Sequence, residues 1–231
     1  MSIRCATVVD DLIEKVVKLH PVNYRLRRRS LGGRANEHVA VDETWVGGRT
    51  RGEGRGVHHK VLVACAVEVR HRKPGTAQNQ CRDGRYAGRV WLAIAADRSA
   101  KLLCGFVDGV VVPGTLIVTD DWSGYAGLRK HCYDHHAIAS CGDPEVTEEF
   151  LPIIHLVFAN LKTWLIGMHH RVSPQPLQAC LNEFTFRFNG RFYPFNAFRS
   201  LLGIAGDAKA STYAALYSGD WTHPTCSGCM G

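Results

Sequence analysis

The sequence has no apolar run long enough to cross a membrane. Hydrophobic residues make up 45% of its 231 residues, but none of the runs approaches the twenty or so consecutive apolar residues of a membrane-spanning helix. The first residues, MSIRCATVVDDLIEK, carry acids where a signal peptide would have its apolar stretch. We therefore expect a cytoplasmic protein that does not act in a membrane.

The sequence also lacks a cysteine framework. Its nine cysteines are odd in number, and several stand inside apolar runs, such as Cys65 in VLVACAV and Cys180 in LQACLNEF. This pattern indicates small core residues rather than disulfides. Cys226 and Cys229 have metal-ligand spacing, but a structural zinc site needs four ligands and no second pair follows. The role of this pair stays open.

Acidic residues are fewer than basic ones, 21 against 28, which gives a net charge of +7. Basic residues cluster at 23–34 and 48–60, in segments that are poor in apolar residues. Such clusters suit the phosphate backbone of double-stranded DNA, although solvated loops would look the same. The candidate DNA-binding residues in these clusters are Arg27, Arg28, Arg29, Arg49, Arg51, Arg55 and Lys60.

The order of patterned segments predicts a mixed sheet. Three strand-like runs precede a helical segment and a fourth strand, and long helices close the pattern. The predicted strands are 38–46, 60–69, 89–97, 115–121 and a short one in YDHHAIAS, and the predicted helices are 8–30, 97–111, 122–131, 149–167 and 174–189. Three antiparallel strands, a crossover helix and a parallel strand are typical of an α/β, RNase H-like, five-stranded sheet flanked by helices.

Two aspartates stand in or at the end of apolar strands. Asp42 lies in HVAVDETWVGG and Asp120 in TLIVTDDWSGY. Either acid alone could be a turn or capping residue. In an RNase H-like sheet, however, the first and fourth strands are neighbours, so the two carboxylates would lie side by side. Like charges in contact favour a divalent cation between them, and Mg²⁺ prefers oxygen ligands.

The helix-like run LPIIHLVFANLK carries one histidine and one lysine seven residues apart, His155 and Lys162. Seven residues are close to two helical turns, so both side chains leave the same face. By itself this pattern is compatible with a buried histidine and a lysine that reaches to water. Further along, FTFRFNGRF has apolar residues at helical spacing, which indicates core packing with Arg187 and Arg191 directed outward, toward DNA.

Five segments, in order, resemble the signature blocks of the ISXO-like insertion-sequence transposases, relatives of the Merlin elements within the DDE superfamily. The segments, which together span about 38–203, are HVAVDETWVGGR, ADRSAKLL, GTLIVTDDWSGYAGL, LPIIHLVFANLKTWLIGMHHRVSP and LQACLNEFTFRFNGR. The resemblance implies an RNase H-like catalytic domain that uses two Mg²⁺ or Mn²⁺ ions. Such a domain cuts the transposon ends by hydrolysis and joins the freed 3′-hydroxyl to target DNA.

The resemblance assigns the site residue by residue. Asp42 matches the first catalytic aspartate and Asp120 the second, while Asp121 falls on a variable position of the block. Glu43 alternates to the opposite face of the strand from Asp42 and is a reserve candidate.

One subgroup of the family carries a histidine at the third active-site position and a lysine seven residues later, and this sequence resembles that subgroup. This resemblance implies His155 as a third metal ligand or an acid–base group, and Lys162 as a contact to the DNA backbone. Glu148 and Glu149 are alternatives for the third ligand, and His170 falls on a block that could touch DNA.

Full-length family members usually begin with a zinc ribbon and a helical region that bind the transposon ends. The sequence-based division is therefore 1–37, a remnant of that helical region; 38–203, the catalytic domain; and 204–231, a weakly structured tail. A bacterial, nucleoid-associated protein that acts as a homo-oligomer on DNA is expected. The alternatives are a truncated, inactive DNA-binding remnant and, less favoured by the ordered blocks, a junction-resolving nuclease.

Overall fold

The computed structural model describes residues 30–33, 37–47, 60–72, 84–139, 150–169 and 174–207. The chain divides into two compact units, one formed by residues 29–171 and the other by 1–28 with 172–231. The described part of the first unit holds the sheet and two helices. The described part of the second unit is a pair of helices.

A five-stranded mixed sheet forms the centre of the first unit. Its strands are β1 (His38–Val46), β2 (Val61–His71), β3 (Arg85–Ala95), β4 (Leu116–Asp120) and β5 (Asp134–Ile138). They are arranged in the order β3-β2-β1-β4-β5. Strands β1, β2 and β3 are antiparallel, whereas β4 runs parallel to both β1 and β5. The predicted RNase H-like sheet, with its first and fourth strands adjacent, is confirmed.

Four helices complete the described structure: α1 (Ala100–Val110), α2 (Pro152–His169), α3 (Pro174–Gly190) and α4 (Pro194–Asp207). Ser99 caps the start of helix α1, as predicted, and its hydroxyl accepts a hydrogen bond from the Leu102 N–H at 3.4 Å. Helices α2 and α3 lie close to their predicted bounds. Helix α4 was not predicted.

Two local predictions are corrected. Strand β3 begins at Arg85 instead of residue 89, because Arg85 and Tyr86 continue the pairing with His71 and Arg70. The expected helix at 122–131 is replaced by two 3₁₀ turns, Ser123–Tyr125 and Leu128–His131. Cys132 ends the second turn in the left-handed conformation, with a φ of 64°.

The two faces of the sheet are covered by different helices. Val39 and Val41 of β1 belong to a buried cluster with Leu103 and Val107 of α1. Side chains alternate along a strand, so Ala40 and Asp42 point to the opposite face. Helix α2 packs on β1, β2 and β3 from that side. Cys65 and Cys180 are buried and free, as predicted from their apolar surroundings.

A buried carboxylate anchors residues 30–32 to the sheet. Glu68 forms ion pairs with Arg70 and Arg89, each at 2.5 Å, and accepts the N–H of Gly32 at 3.2 Å. Arg89 also donates to the carbonyl of Ser30 at 2.9 Å. Burial alone would raise the pKa of Glu68, but the hydrogen bonds and charge of Arg89, with the charge of Arg70, hold it below its ordinary value.

Candidate active site

Strand β1 presents two consecutive acids to opposite faces of the sheet. Asp42 lies on the side covered by α2, and its side chain is only 13% exposed. One of its oxygens accepts a hydrogen bond from the Glu43 N–H at 2.7 Å. Glu43 points to the other side, where α1 packs. The two acids therefore belong to separate environments, although they are adjacent in sequence.

Asp120 ends β4 on the same face as Asp42. The parallel register pairs Val39 with Ile117 and Ala40 with Val118. Two residues further along each strand stand Asp42 and Asp120. Side chains two residues apart share a face, and neighbouring strands are about 4.8 Å apart. The register therefore brings these two carboxylates together at one edge of the face.

The environment of Asp120 disfavours its negative charge. Burial raises the pKa of Asp120 to about 6, and the carboxylates of Asp42 and Glu43 add to this shift. The Trp122 N–H, which donates to Asp120 at 3.3 Å, and the charge of Arg98 act in the opposite direction without cancelling it. Nearby positive charge would therefore stabilise the ionised form of Asp120.

Helix α2 brings a histidine to the first aspartate. The Nε2 atom of His155 lies 3.5 Å from Oδ2 of Asp42, and the His155 side chain remains 34% exposed. Its ring stacks with that of buried Phe158 at a centroid distance of 6.5 Å. The histidine thus lies within reach of both the carboxylate and solvent, and we call the region formed by Asp42, Asp120 and His155 the cleft.

Two lysines lie near one another, and Lys162 is close enough to Asp42 to interact with its charge. Partial burial and the charge of Lys60 lower the pKa of Lys162, whereas Asp42 acts to raise it. The Lys162 side chain is exposed. Lys60 immediately precedes β2, so it reaches this region from the sheet while Lys162 reaches it from α2. Negative and positive groups therefore stand next to one another at the cleft.

Glu43 is already occupied by protein partners. Its side chain is 2% exposed and forms an ion pair with the Arg98 guanidinium. The Tyr125 hydroxyl donates to the other Glu43 oxygen at 2.5 Å. Burial, together with the charge and hydrogen bond of Glu43, raises the pKa of Tyr125 far above its ordinary value. Glu43 thus acts as a buried anchor beneath the two aspartates.

The turn that follows Asp120 is attached to this anchor. The Arg98 guanidinium lies 4.0 Å from the centre of the Trp122 ring. The indole N–H of Trp122 donates to the Arg98 carbonyl at 3.1 Å. A Cβ atom at Gly124 would come within 2.9 Å of that same carbonyl, so only glycine fits there.

The sequence profile of the ISXO2-like transposase domain matches residues 34–189, more than half of the chain. The chain belongs to this transposase family. Neither a search of curated proteins nor a search of solved structures finds a match. The matched range contains Asp42, Asp120, His155 and Lys162, so the whole cluster lies inside the transposase domain. In the described part of the transposase, no helix is both long and apolar enough to cross a bilayer.

The donor atoms at the cleft suit a hard divalent cation. Within the described ranges of the transposase, no group of three or more His, Cys, Asp or Glu side chains converges closely enough to hold an ion. Asp42 and Asp120 nevertheless offer carboxylate oxygens, and Mg²⁺ is commonly held by one or two carboxylates while it keeps several waters. The surroundings of Asp120 disfavour its negative charge, and such an ion would stabilise that charge.

Some of the remaining candidates lie within the described residues, and the others lie outside them. Asp121 is exposed at the start of the turn, and Lys60 is partly buried beside β2. The residues outside the described ranges are Arg27, Arg28, Arg29, Arg49, Arg51, Arg55, Glu148, Glu149, His170, Cys226 and Cys229.

Sequence reasoning missed the Arg98 and Tyr125 contacts. The partners of Glu43 are 55 and 82 residues away along the chain. Alternation along β1 shows that Glu43 leaves the cleft face, and a buried carboxylate requires partners. Only the folded arrangement shows which residues supply them.

Proposed function

We propose that this transposase cleaves phosphodiester bonds at the ends of an insertion sequence and joins the freed 3′-hydroxyl to target DNA. Two Mg²⁺ or Mn²⁺ ions, held by Asp42 and Asp120, would assist both reactions. The observation that supports the proposal is the register of β1 and β4: Ala40 pairs with Val118, and Asp42 and Asp120 each stand two residues further along their strands. The raised pKa of Asp120 supports it, because the site favours added positive charge.

Asp42 and Asp120 would hold the ions, and His155 would contribute a ring nitrogen beside Asp42. When bound, divalent ions at paired carboxylates activate a water or hydroxyl nucleophile and stabilise the leaving oxygen. The protein side chains supply the carboxylate geometry and fixed charge around the scissile phosphate. A histidine ligand shifts the preference from Mg²⁺ toward Mn²⁺ and softer metals.

The two lysines would bind the DNA backbone beside the cleft. Lys162 is exposed, and its charge interacts with those of Lys60 and Asp42. An ammonium group in this position can pair with a phosphate oxygen that flanks the scissile bond. The net charge of +7 provides a general attraction for the same polyanion. Action as a homo-oligomer on paired ends is part of the proposal.

The test is Mn²⁺-dependent nicking and strand transfer on DNA that carries the terminal inverted repeats of the element. The wild type should cut and join such DNA. Asp42→Asn and Asp120→Asn should each lose activity by about a thousandfold or more, because one carboxylate cannot hold both ions in position.

The matched control is Asp108→Asn, which alters an exposed carboxylate on α1, paired with His131 at 2.7 Å. It should retain wild-type cleavage. DNA binding by the wild type without cleavage would support the alternative, an inactive DNA-binding protein. Cleavage that survives both cleft substitutions would assign the chemistry to other residues.

A further inference from the structure

A column of stacked planar groups runs along the end of α3. The rings of Phe184 and Phe188 stack with centroids 5.6 Å apart. The guanidinium carbon of Arg191 lies 3.8 Å from the Phe188 centroid and 4.2 Å from the Phe192 centroid. Phe184 is buried, whereas Phe192 is 55% exposed. The column therefore begins in the core of the helix pair and ends at its surface.

More aromatic side chains surround the exposed end of this column. Tyr193 is 69% exposed, Phe195 83% and Phe198 53%. We call residues Arg191–Arg199 the aromatic corner. The pattern of FTFRFNGRF predicts core packing, but α3 ends at Gly190 and the chain turns there, so Phe192, the last residue of that segment, is exposed. A large exposed apolar patch on a protein surface marks an interaction site.

The turn between the helices is tightly built. The Tyr193 N–H donates to the Gly190 carbonyl at 2.9 Å, and the Tyr193 carbonyl accepts the Ala197 N–H at 3.0 Å as α4 begins. A Cβ atom at Gly190 would come within 2.8 Å of the Ala197 Cβ. Pro194 occupies the first position of α4, where its ring favours a helix start. The exposed rings are therefore presented by a defined backbone.

The charged residues of the aromatic corner have one sign. Residues 191–199 include two arginines, at 191 and 199, and neither aspartate nor glutamate, whereas Arg187 is paired with Glu183 at 2.9 Å. A symmetric contact between two copies of this chain would place this acid-free surface against itself, with arginines facing arginines. A polyanion with flat apolar groups, in contrast, matches both the charge and the rings.

We propose that the aromatic corner binds unpaired nucleotides of DNA, with bases stacked on its exposed rings and phosphates paired with its arginines. Stacking on aromatic side chains is the common mode of single-strand binding and tolerates any base sequence. Arginine planes stack on bases as well as on rings. This binding site lies in the second compact unit and does not depend on the proposed cleavage by Asp42 and Asp120.

The test uses the full chain and a fluorescein-labelled oligothymidylate of about twelve nucleotides. Fluorescence anisotropy is measured in EDTA and about 0.3 M salt, conditions that prevent metal-dependent cleavage and weaken phosphate contacts. The wild type should bind the oligonucleotide. Phe195→Ala should weaken binding by about fivefold or more, and the Tyr193→Ala/Phe195→Ala protein by about twenty-five-fold or more. Phe195→Trp should retain the affinity, because indole also stacks.

Leu202→Ala is the matched control, because Leu202 is 52% exposed on the same helix but has no flat ring. It should bind like the wild type. Unchanged affinity in the double variant would overturn the proposal. An equal loss of affinity in Leu202→Ala would also overturn it. A lower molecular mass of the double variant in sedimentation would do the same. Each of these results would indicate that the aromatic corner is a contact between copies. Loss of cleavage in Asp42→Asn leaves this binding intact, so the two proposals fail separately.

Discussion

Asp120 illustrates how a side chain acquires its properties from its position. It lies on the face covered by α2, and its pKa is raised to about 6. The unperturbed value is 3.8, so the folded chain binds this proton more strongly than the unfolded chain does. Ionisation of Asp120 therefore destabilises the fold. The effect is absent below about pH 4 and complete above about pH 6.

Asp120→Asn should accordingly raise the thermal stability at neutral pH. The melting temperature of the variant should exceed that of the wild type by several degrees at pH 7.5, and the gap should close toward pH 4. Differential scanning calorimetry across this pH range measures it. Addition of Mn²⁺ should narrow the gap at pH 7.5, because only the wild type gains a ligand for the ion. A gap that does not vary with pH would contradict this account of Asp120.

His155→Ala should weaken Mn²⁺ binding by about tenfold and Mg²⁺ binding by less, because imidazole nitrogen is the better ligand for Mn²⁺. Titration calorimetry with each metal measures both affinities. His131→Ala provides a control, since His131 also contacts an aspartate, at 2.7 Å, but on an exposed surface of the turn. If the two variants bind Mn²⁺ equally well, His155 is a packing residue at the cleft edge.

The features of the site that depend on strand order and on the alternation of side chains along a strand can be predicted from the sequence. The pairing of Asp42 with Asp120 follows from neighbouring strands, and the opposite direction of Glu43 follows from the period of two. The approach of His155 to Asp42 depends on how α2 lies across the sheet. Helix periodicity predicts that His155 and Lys162 lie on one face of α2, but it does not predict which strand that face covers.

At the scale of elements, β1, the start of α1 and the turn after β4 are joined by Glu43, Arg98, Tyr125 and Trp122. An ion pair, a hydroxyl donor and a stacked ring meet around one buried carboxylate. Removal of one partner from such a buried pair reduces the free energy of unfolding by more than the pair contributes to it. The reason is that the other charge stays buried without an opposite charge beside it. The geometry of the turn that carries Asp120 therefore depends on an arginine outside the cleft.

Arg98→Met should reduce the free energy of unfolding by about 2 kcal/mol, less than the roughly 3–5 kcal/mol for a fully buried pair, because Arg98 itself is partly exposed. Urea denaturation followed by tryptophan fluorescence measures the loss. Arg129→Met is the control, because Arg129 is exposed and donates to the carbonyl of His135 at 3.2 Å. Its effect should stay within about 0.5 kcal/mol. Equal stabilities of the two variants would show that Arg98 does not hold the turn.

The elements that sequence patterns missed have identifiable causes. Helix α4 begins with aromatic residues that remain exposed, so burial of apolar side chains does not mark where it starts. The early start of β3 depends on pairing with β2 across a long connection, which local composition does not reveal. The 3₁₀ turns at 123–131 contain two glycines that weaken a regular helix.

At the scale of the whole molecule, the positive charge should govern the attraction to DNA. Affinity for DNA falls as salt rises, and each neutralised phosphate changes the slope of log affinity against log salt by about 0.9. The division of the chain into domains 1–37, 38–203 and 204–231 stays a prediction.

A contact between Lys162 and a DNA phosphate can be tested whether or not that division is correct. Lys162→Ala should reduce the slope for duplex binding by about one and weaken binding equally across DNA sequences, because a phosphate contact carries no base information. Anisotropy titrations between about 50 and 200 mM salt measure the slope. Lys101→Ala, which removes an exposed lysine on α1, should leave it unchanged. A sequence-dependent loss in Lys162→Ala would instead indicate contact with base edges.

The two consecutive acids of β1 have a consequence for the fidelity of folding. If β1 slipped by one residue against its neighbours so that Glu43 took the position of Asp42, Asp42 would take the position of Val41 in the buried cluster beneath α1. A slip in the other direction would put Val41 in the position of Asp42 and leave that position without a carboxylate. Charge therefore opposes the first slip, because a carboxylate would be buried among apolar side chains without a partner. Replacement of both acids by uncharged residues should make the register of this strand less specific.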